Sequence, residues 1–475
     1  MSGSSGAAGR PRDGREAGAG WGPLQRALAG HLSLPGTADY ERSRLPHNAR
    51  VAEGSRPEAI AYCAREADVA RCLDFARSRG VGIGVRSGGH CFGGCSSRGP
   101  LVIDVSRLAG VRPEEGLWRV GAGTRQGEVY GRLARSGVAV AGGTCPGVGF
   151  SGLALGGGHG VFSRARGLTC DAVVGARVVL ADGRVVECGA DREPDLWWAV
   201  RGGGHAVPGV VTSLLCRAWE TAPCTVFALR WESSATRRVP GAWQEWASGA
   251  PAELWSQLVL GTEPGGGAFA RVRGVGIGPG VDVEDRLAAL LREVGPGARR
   301  EVRRLSFVET VRSFAGMEDG PGTAPRWASA TRSHYLDGAL DEVGAAAVLD
   351  VLDGAPREVG GAVALTPWGG RVRDPQPRET AFWHRRAAFL AQCRSEWDPA
   401  GPERSAGASA RTVDLLHAAL APYGNGHAYP NYTDPALADA ATAYHGGNLP
   451  RLREIGAHHD PDGILTRCRT GCHGL

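Results

Sequence analysis

Two glycine-rich runs each carry a side chain able to form a covalent bond. VRSGGHCFGGC (residues 85–95) places His90 and Cys91 directly after Gly88 and Gly89. GGTCPGVGFSGLALGGGHG (142–160) carries Cys145 near its head. Glycine lets backbone approach a ligand where a Cβ would collide, and successive bare amides form a concave donor surface for an anion. Arg86-Ser87-Gly88-Gly89-His90 fits such a nest. A lone loop histidine usually only satisfies its surroundings, and a lone cysteine is usually a small buried hydrophobe. Both together, each at the mouth of a glycine loop, point to a group cradled by backbone and then bonded by side chains.

Two other chemistries compete for these residues. GVGFSG (147–152) matches G-x-G-x-x-G, and Asp171 follows Gly152 where a ribose-binding acid of a nicotinamide site would stand. The third glycine of that motif should open a helix, however, and LALGGGHG is too glycine-rich for a first helical turn. Cys91/Cys95 and Cys468/Cys472, with His473, suggest zinc. Structural zinc sites use tighter paired spacing, so no metal is expected.

Local patterns supply the elements that must hold the loops. RPEAIAYCA reads as a strand, and EADVARCLDFARSRG puts Val69, Cys72, Leu73 and Ala76 on one helical face with Gly80 as the stop. VGIGV, LVIDV and LWRVGAG read as further strands, RQGEVYGRLARSG as a helix, and DAVVGARVVLADGRVVEC as a hairpin turning at 181–183. TVFALRWE, LWSQLVLGTE and FARVRGVGIG suggest a second, antiparallel sheet, backed by helices in VEDRLAALLREVG and LDEVGAAAVLDVL. The last fifty residues return to helix-and-turn signals. The fold class is α+β.

Composition narrows the function. At 475 residues the chain suits two or more core-forming units, and 42% hydrophobic with 22% charged residues is ordinary for a globular protein. It contains no lysine, which excludes Walker-type phosphate loops and Schiff-base chemistry. A net charge of +5, without dense basic blocks, argues against nucleic acid. The first twenty residues lack an apolar core and read as a disordered tail, and no run of about 18 apolar residues predicts a membrane span. The 12 cysteines are therefore expected as reduced thiols in a cytoplasmic protein, a monomer or homodimer.

RSGGHC, GGTCPGVGFSGLALGGGHG, DLWWAVRGGGHAVPGVVTS, AYPNY and NLPRLREIGAHHDPDGIL, in this order, resemble the berberine bridge enzyme family of vanillyl-alcohol-oxidase-type FAD-linked oxidoreductases. The resemblance implies a split, PCMH-type FAD-binding domain with a substrate domain between its parts: a tail and lead-in over 1–44, FAD-binding residues 45–222, a substrate domain over 223–425, and a returning segment over 426–475. It implies FAD bonded twice, by His90 at the 8α-methyl and by Cys145 at ring carbon 6. Further FAD contacts are implied at Arg86, Ser87, Gly88, Gly89, Cys91, Phe92, Gly143, Thr144, Val148, Gly149, Gly152, Leu155, Gly158, Gly160, Gly209, Val210 and Asn431. Val148 stands where a small residue admits O2 to the flavin. Tyr432, the tyrosine of the Asn-Tyr pair, becomes the catalytic base, with a phenol pKa lowered by cationic or hydrogen-bonding neighbours; Tyr429 takes a structural role.

The same resemblance leaves the pocket sketchily drawn. Trp368, His384, Gln392 and His205 are its expected lining, and His384 is the alternative base. The implied reaction is oxidation of an alcohol or amine carbon of a small secondary metabolite, free or glycosylated, with O2 as acceptor and hydrogen peroxide as product. A sugar or oligosaccharide oxidase, or a cyclase keeping FAD mainly as structure, are the alternatives.

Overall fold

The computed structural model describes residues 20–465, apart from 53, 264, 317–326 and 357. Its first sheet holds β1 (His31–Ser33), β2 (Ala59–Tyr62), β3 (Ile83–Arg86) and β4 (Leu101–Asp104) in the order β1-β2-β4-β3. The last three are parallel, because the helix Glu66–Arg79 crosses over between β2 and β3. That helix buries Val69, Cys72, Leu73 and Ala76, as its spacing predicts, and stops at Gly80 in the left-handed conformation (φ 63°).

The lead-in, residues 20–44, forms ordered structure. Trp21, Leu24, Leu28 and Leu32 join the core around that helix. Buried Asp68 accepts hydrogen bonds from the amides of Ala29, Gly30 and Ala64, which holds the lead-in to the helix start. The tail itself, residues 1–19, lies outside the described residues.

A second, antiparallel sheet contains β5 (Val111–Glu114), β6 (Leu117–Gly121), β8 (Val173–Val179), β9 (Val185–Gly189) and β10 (Val210–Cys216), ordered β5-β6-β10-β8-β9. The short strands β7 (Val138–Ala139) and β11 (Trp219–Glu220) pair separately. The β8–β9 hairpin turns at Gly183 (φ 85°), as expected.

The third sheet is wholly antiparallel: β12 (Cys224–Glu232), β13 (Leu254–Thr262), β14 (Ala268–Ile277), β15 (Arg299–Leu305), β16 (Ala328–Leu336), β17 (Gly361–Pro367) and β18 (Phe389–Trp397) run in the order β15-β12-β14-β13-β17-β18-β16. One face buries Leu229, Trp231, Leu258, Val272, Val363, Ala391 and Cys393 in a core shared with the helices Val239–Ser248, Val283–Val294, Glu342–Asp353 and Glu403–Leu420. Because side chains alternate along a strand, the opposite face carries Gln392 and Arg394 of β18 and Arg271 of β14. Its apolar margins pack on the glycine-loop half of the chain: Val226, Trp255 and Val275 against Phe162, and Tyr335 and Leu390 in a cluster with Leu168, Phe382 and Tyr429. No helix among the described residues is long and apolar enough to cross a membrane.

Candidate active site

The two glycine loops lie back to back. A Cβ on Gly88 would sit 2.2 Å from the Gly149 nitrogen, and one on Gly149 would sit 2.2 Å from Ser87 Oγ. Arg125 ties them together, donating 2.6 Å to the Gly88 carbonyl and 2.8 Å to the Gly147 carbonyl. These glycines thus serve loop-to-loop contact first. Gly160 does the same against the Gly142 carbonyl, 1.9 Å from where its Cβ would be. Gly152 has open space around it, and Gly89 is left-handed (φ 71°) with nothing nearer than Arg86 Cδ at 3.7 Å.

His90 stacks on His47 with ring centroids 3.8 Å apart. Its ring nitrogens make no hydrogen bond among the described residues, and burial, with His47 and Arg125 nearby, pushes its pKa down to about 3. It is therefore a neutral imidazole. Cys145 is a free thiol with an accessible side chain. It sits deep enough in the cleft for burial to raise its pKa, which Arg394 partly opposes. Cys91 lies against Thr433 (Sγ to Oγ1 3.5 Å) and Phe92 packs edge-on to Tyr432 (centroids 5.9 Å), so the His90 loop touches the C-terminal segment.

Tyr429 and Tyr432 face each other across a turn closed by the Tyr432 amide and the Tyr429 carbonyl (2.9 Å). The Tyr429 hydroxyl accepts from the amides of Gly158 (3.0 Å) and His159 (3.1 Å) and from Asn431 Nδ2 (3.0 Å), a structural role. Tyr432 Oη is hydrogen-bonded to His159 Nε2 at 2.8 Å. His159 is the site residue that sequence reasoning passed over, although it stands inside the quoted GGGHG. Burial holds its pKa down to about 4, and its Nδ1 is buried without a partner among the described residues. The lowered phenol expected for Tyr432 is not found. Burial, reinforced by Tyr429, raises it well above the ordinary tyrosine value, and its hydrogen-bond partner is a neutral imidazole.

Several expected contacts are committed elsewhere. The Arg86 guanidinium is ion-paired to Asp104 (2.6 Å) and bonded to the Ser43 carbonyl, and Ser87 Oγ donates to the Ala122 carbonyl. The amides of Gly158 and Gly160 donate to Tyr429 Oη and Ser163 Oγ. Val210 is a core residue of β10, and Gly209 is there because a Cβ would lie 2.3 Å from Val178. Asn431 bridges the Leu153 carbonyl and Tyr429. Thr144 lies half-buried beside Cys145, Gly143 receives the Tyr130 hydroxyl, and Leu155 packs partly into the core.

The pocket residues divide. Gln392 is on the inward sheet face, donating to Thr331 Oγ1 (3.1 Å). Trp368 and His384 are core: Trp368 Nε1 donates to the His384 carbonyl, while His384 Nε2 is held by the Tyr444 carbonyl (2.8 Å) and its ring stacks on Tyr335. His384 is thus no alternative base. His205 lies in the turn Gly204–Ala206, close to buried His445.

The competing readings are also answered. A short helix, Phe150–Leu155, does begin inside GVGFSG, contrary to expectation, but Asp171 pairs with fully buried Arg385 at 2.6 and 2.8 Å and is not free for a ribose. Among the described residues no His/Cys/Asp/Glu group could hold a metal. Cys95 is disulfide-bonded, whereas the other nine described cysteines are free. The uniformly reduced state expected of a cytoplasmic protein therefore fails at Cys95; Cys468, Cys472 and His473 lie outside the described residues.

Residues 57–189 match the family model described as FAD binding domain, and 428–466 match that described as berberine and berberine like. The carbohydrate oxidase of Microdochium nivale is 30% identical over 90% of both chains. The FAD-linked oxidoreductase YgaK of Bacillus subtilis is 28% identical over 92% of this chain and 96% of its own. The solved BBE-like 1 of Physcomitrella patens superposes with a TM-score of 0.86, at 26% identity, covering 94% of this chain and 98% of its own. Both matched segments are the ones that meet at His159 and Tyr432, and the chain belongs to the berberine bridge enzyme-like family of FAD-linked oxidoreductases.

Proposed function

We propose that this enzyme oxidises an alcohol or amine carbon of a small molecule, with FAD bonded to His90 and Cys145 and O2 as the final acceptor. Residues 45–222 and 426–475 would hold the cofactor, and 223–425 would present the substrate. The observation that carries this reading is convergence: the His90 loop touches Tyr432 through Phe92, Cys145 lies close enough to Tyr432 to raise its ionisation cost, and both have Arg394 as a neighbour.

The residues fit FAD. An unbonded neutral imidazole and an accessible thiol flank two loops joined through Arg125, and Gly152 leaves room where a side chain would intrude. FAD supplies a two-electron acceptor when bound. The chain supplies the proton path. Tyr432 receives the proton of a substrate hydroxyl while passing its own to His159 Nε2, so neither a free phenolate nor a resting imidazolium is needed. Tyr429 fixes the backbone under His159, and the aromatic layer of Trp368, Tyr335 and Phe382 keeps bulk water from the pair.

A secondary metabolite, free or glycosylated, is the substrate class we favour. The carbohydrate oxidase relative supports a sugar or oligosaccharide as the second reading. Anaerobic mixing with panels of both classes, followed by admission of air, tests this: flavin bleaching and then stoichiometric peroxide are expected. Failure of every alcohol, amine and sugar to bleach the flavin would refute the proposal.

A further inference from the structure

The inward face of the third sheet carries a half-buried cation without an anionic partner: the Arg271 guanidinium lies 5.9 Å from the Phe269 ring centroid. Arg271 makes no ion pair and no hydrogen bond among the described residues, and its Nε is fully buried without a partner. Among the buried arginines, Arg86 pairs with Asp104, Arg385 with Asp171 and Arg119 with Glu114, while Arg164 has only the Ala250 carbonyl as a partner. The nearest electrostatic neighbours of Arg271 are Arg394 and Arg230, both repulsive; Glu263 is the lesser, attractive one. Arg230 already pairs with Glu232 and Glu263. Arg394 has only a loose contact with Glu396, at 3.7 Å.

The register shows what lies between the two arginines. Arg271 is in one row with Val259, Ala364 and Gln392, and the next row runs Phe269, Gly261, Ala362, Arg394. Arg271 and Arg394 thus flank a trough about 14 Å wide, three strand spacings, in which Phe269 packs on buried Val259 and Ala364. A Cβ on Gly261 would meet Phe269 at 2.8 Å, so that glycine lets the ring lie in the trough. The Arg394 wall borders the reaction centre, since Arg394 acts on both Cys145 and Tyr432.

We infer that Arg271 and Arg394 form an anion subsite for the substrate, which is therefore a carboxylate- or phosphate-bearing alcohol. Burying a guanidinium without a partner is costly, and planar donors bind carboxylate or phosphate in a fork. The inference rests on the oxidase reading for the identity of the site, not for the existence of the subsite.

Calorimetric titration of the holoenzyme separates the two. The probes are 4-(hydroxymethyl)benzoate against its methyl ester, a glucuronate-terminated disaccharide against its neutral counterpart, and inorganic phosphate as competitor. The acids should bind ~10–100-fold more tightly than their neutral partners, and Arg271→Gln or Arg394→Gln should each remove most of that preference. Better competition by carboxylates assigns a carboxylic acid substrate; better competition by phosphate assigns a phosphorylated one. Equal binding of acid and neutral partner, or a preference intact in both variants, overturns the subsite. Arg271→Gln should melt no lower than wild type, because it removes repulsion; a lower melting temperature would show that Arg271 serves the fold. Arginine-dependent binding without bleaching by any substrate would sink the oxidase reading alone, and bleaching by a neutral alcohol with no acid preference would sink the subsite alone.

Discussion

Tyr432 Oη and His159 Nε2 are 2.8 Å apart inside a layer of aromatic rings, and burial disfavours charge on both. Such a pair can move a proton only in concert. A phenol held above its usual pKa is a poor base alone, and an imidazole held near 4 is a poor acceptor alone; hydrogen-bonded, each lowers the other's barrier.

Tyr432→Phe and His159→Gln should therefore each slow anaerobic flavin reduction by ~10²–10⁴-fold. Since they act as one unit, the double variant should be little worse than the more damaged single one. Multiplying losses would show two independent functions. The wild-type rate should have no phenolate limb below pH ~10.

Acid should remove both activity and stability, over different windows. The folded-state pKa of His159, about 4, lies below the ordinary 6.5, so the unfolded chain binds protons first as pH falls. Its contribution is complete above 6.5 and is lost as pH drops towards 4. His90, His417 and His445, each near 3, act in the same direction. Denaturant melts should show stability declining below pH 6.5, with His159→Gln reducing the slope, while flavin reduction fails only near pH 4.

If His90 and Cys145 both bond FAD, denatured protein stays yellow and outweighs the chain by one flavin. Either single alanine variant should keep one link, and the double variant should release flavin on acid precipitation. Free flavin from wild type would end the proposal.

Gly149→Ala tests whether the loops must touch. Its Cβ would lie 2.2 Å from Ser87 Oγ and 2.5 Å from the Gly88 nitrogen, backbone that cannot swing aside. A destabilisation of about 1–3 kcal/mol is expected, with poor flavin incorporation. Gly152→Ala, with open space, should melt like wild type; its flavin content then reports the cofactor's approach.

Val148→Leu should slow reoxidation of the reduced enzyme in aerated buffer while leaving anaerobic reduction by substrate nearly unchanged. Equal loss of both half-reactions in stopped flow would indicate a packing defect instead.

The glycine loops, the helix over Glu66–Arg79 and the β8–β9 hairpin were legible because local patterns alone determine them. Strands β15 to β18 were not. FLAQCRSEW alternates between a core face and a polar inward face, and its polar half reads as loop until a second layer explains it. The side-chain partners of Arg86 and Asp171 were not legible for a related reason: Asp104 and Arg385 engage them, and nothing local in the sequence marks either pairing. His159 was in plain view, yet only the fold brings it to Tyr432 across 273 positions.

The Tyr429 hydroxyl that gathers the Gly158 and His159 amides comes from 271 and 270 residues further along the chain. A ribosome exposes the GGGHG run long before that hydroxyl exists, and the loop has no other acceptor for those two amides among the described residues. Closing a span of that length is slow compared with pairing neighbouring strands. The order of biosynthesis is thereby built into the site: Arg125 can join its first loops early, but the amides of Gly158 and His159 wait through the translation of an entire intervening sheet for their acceptor.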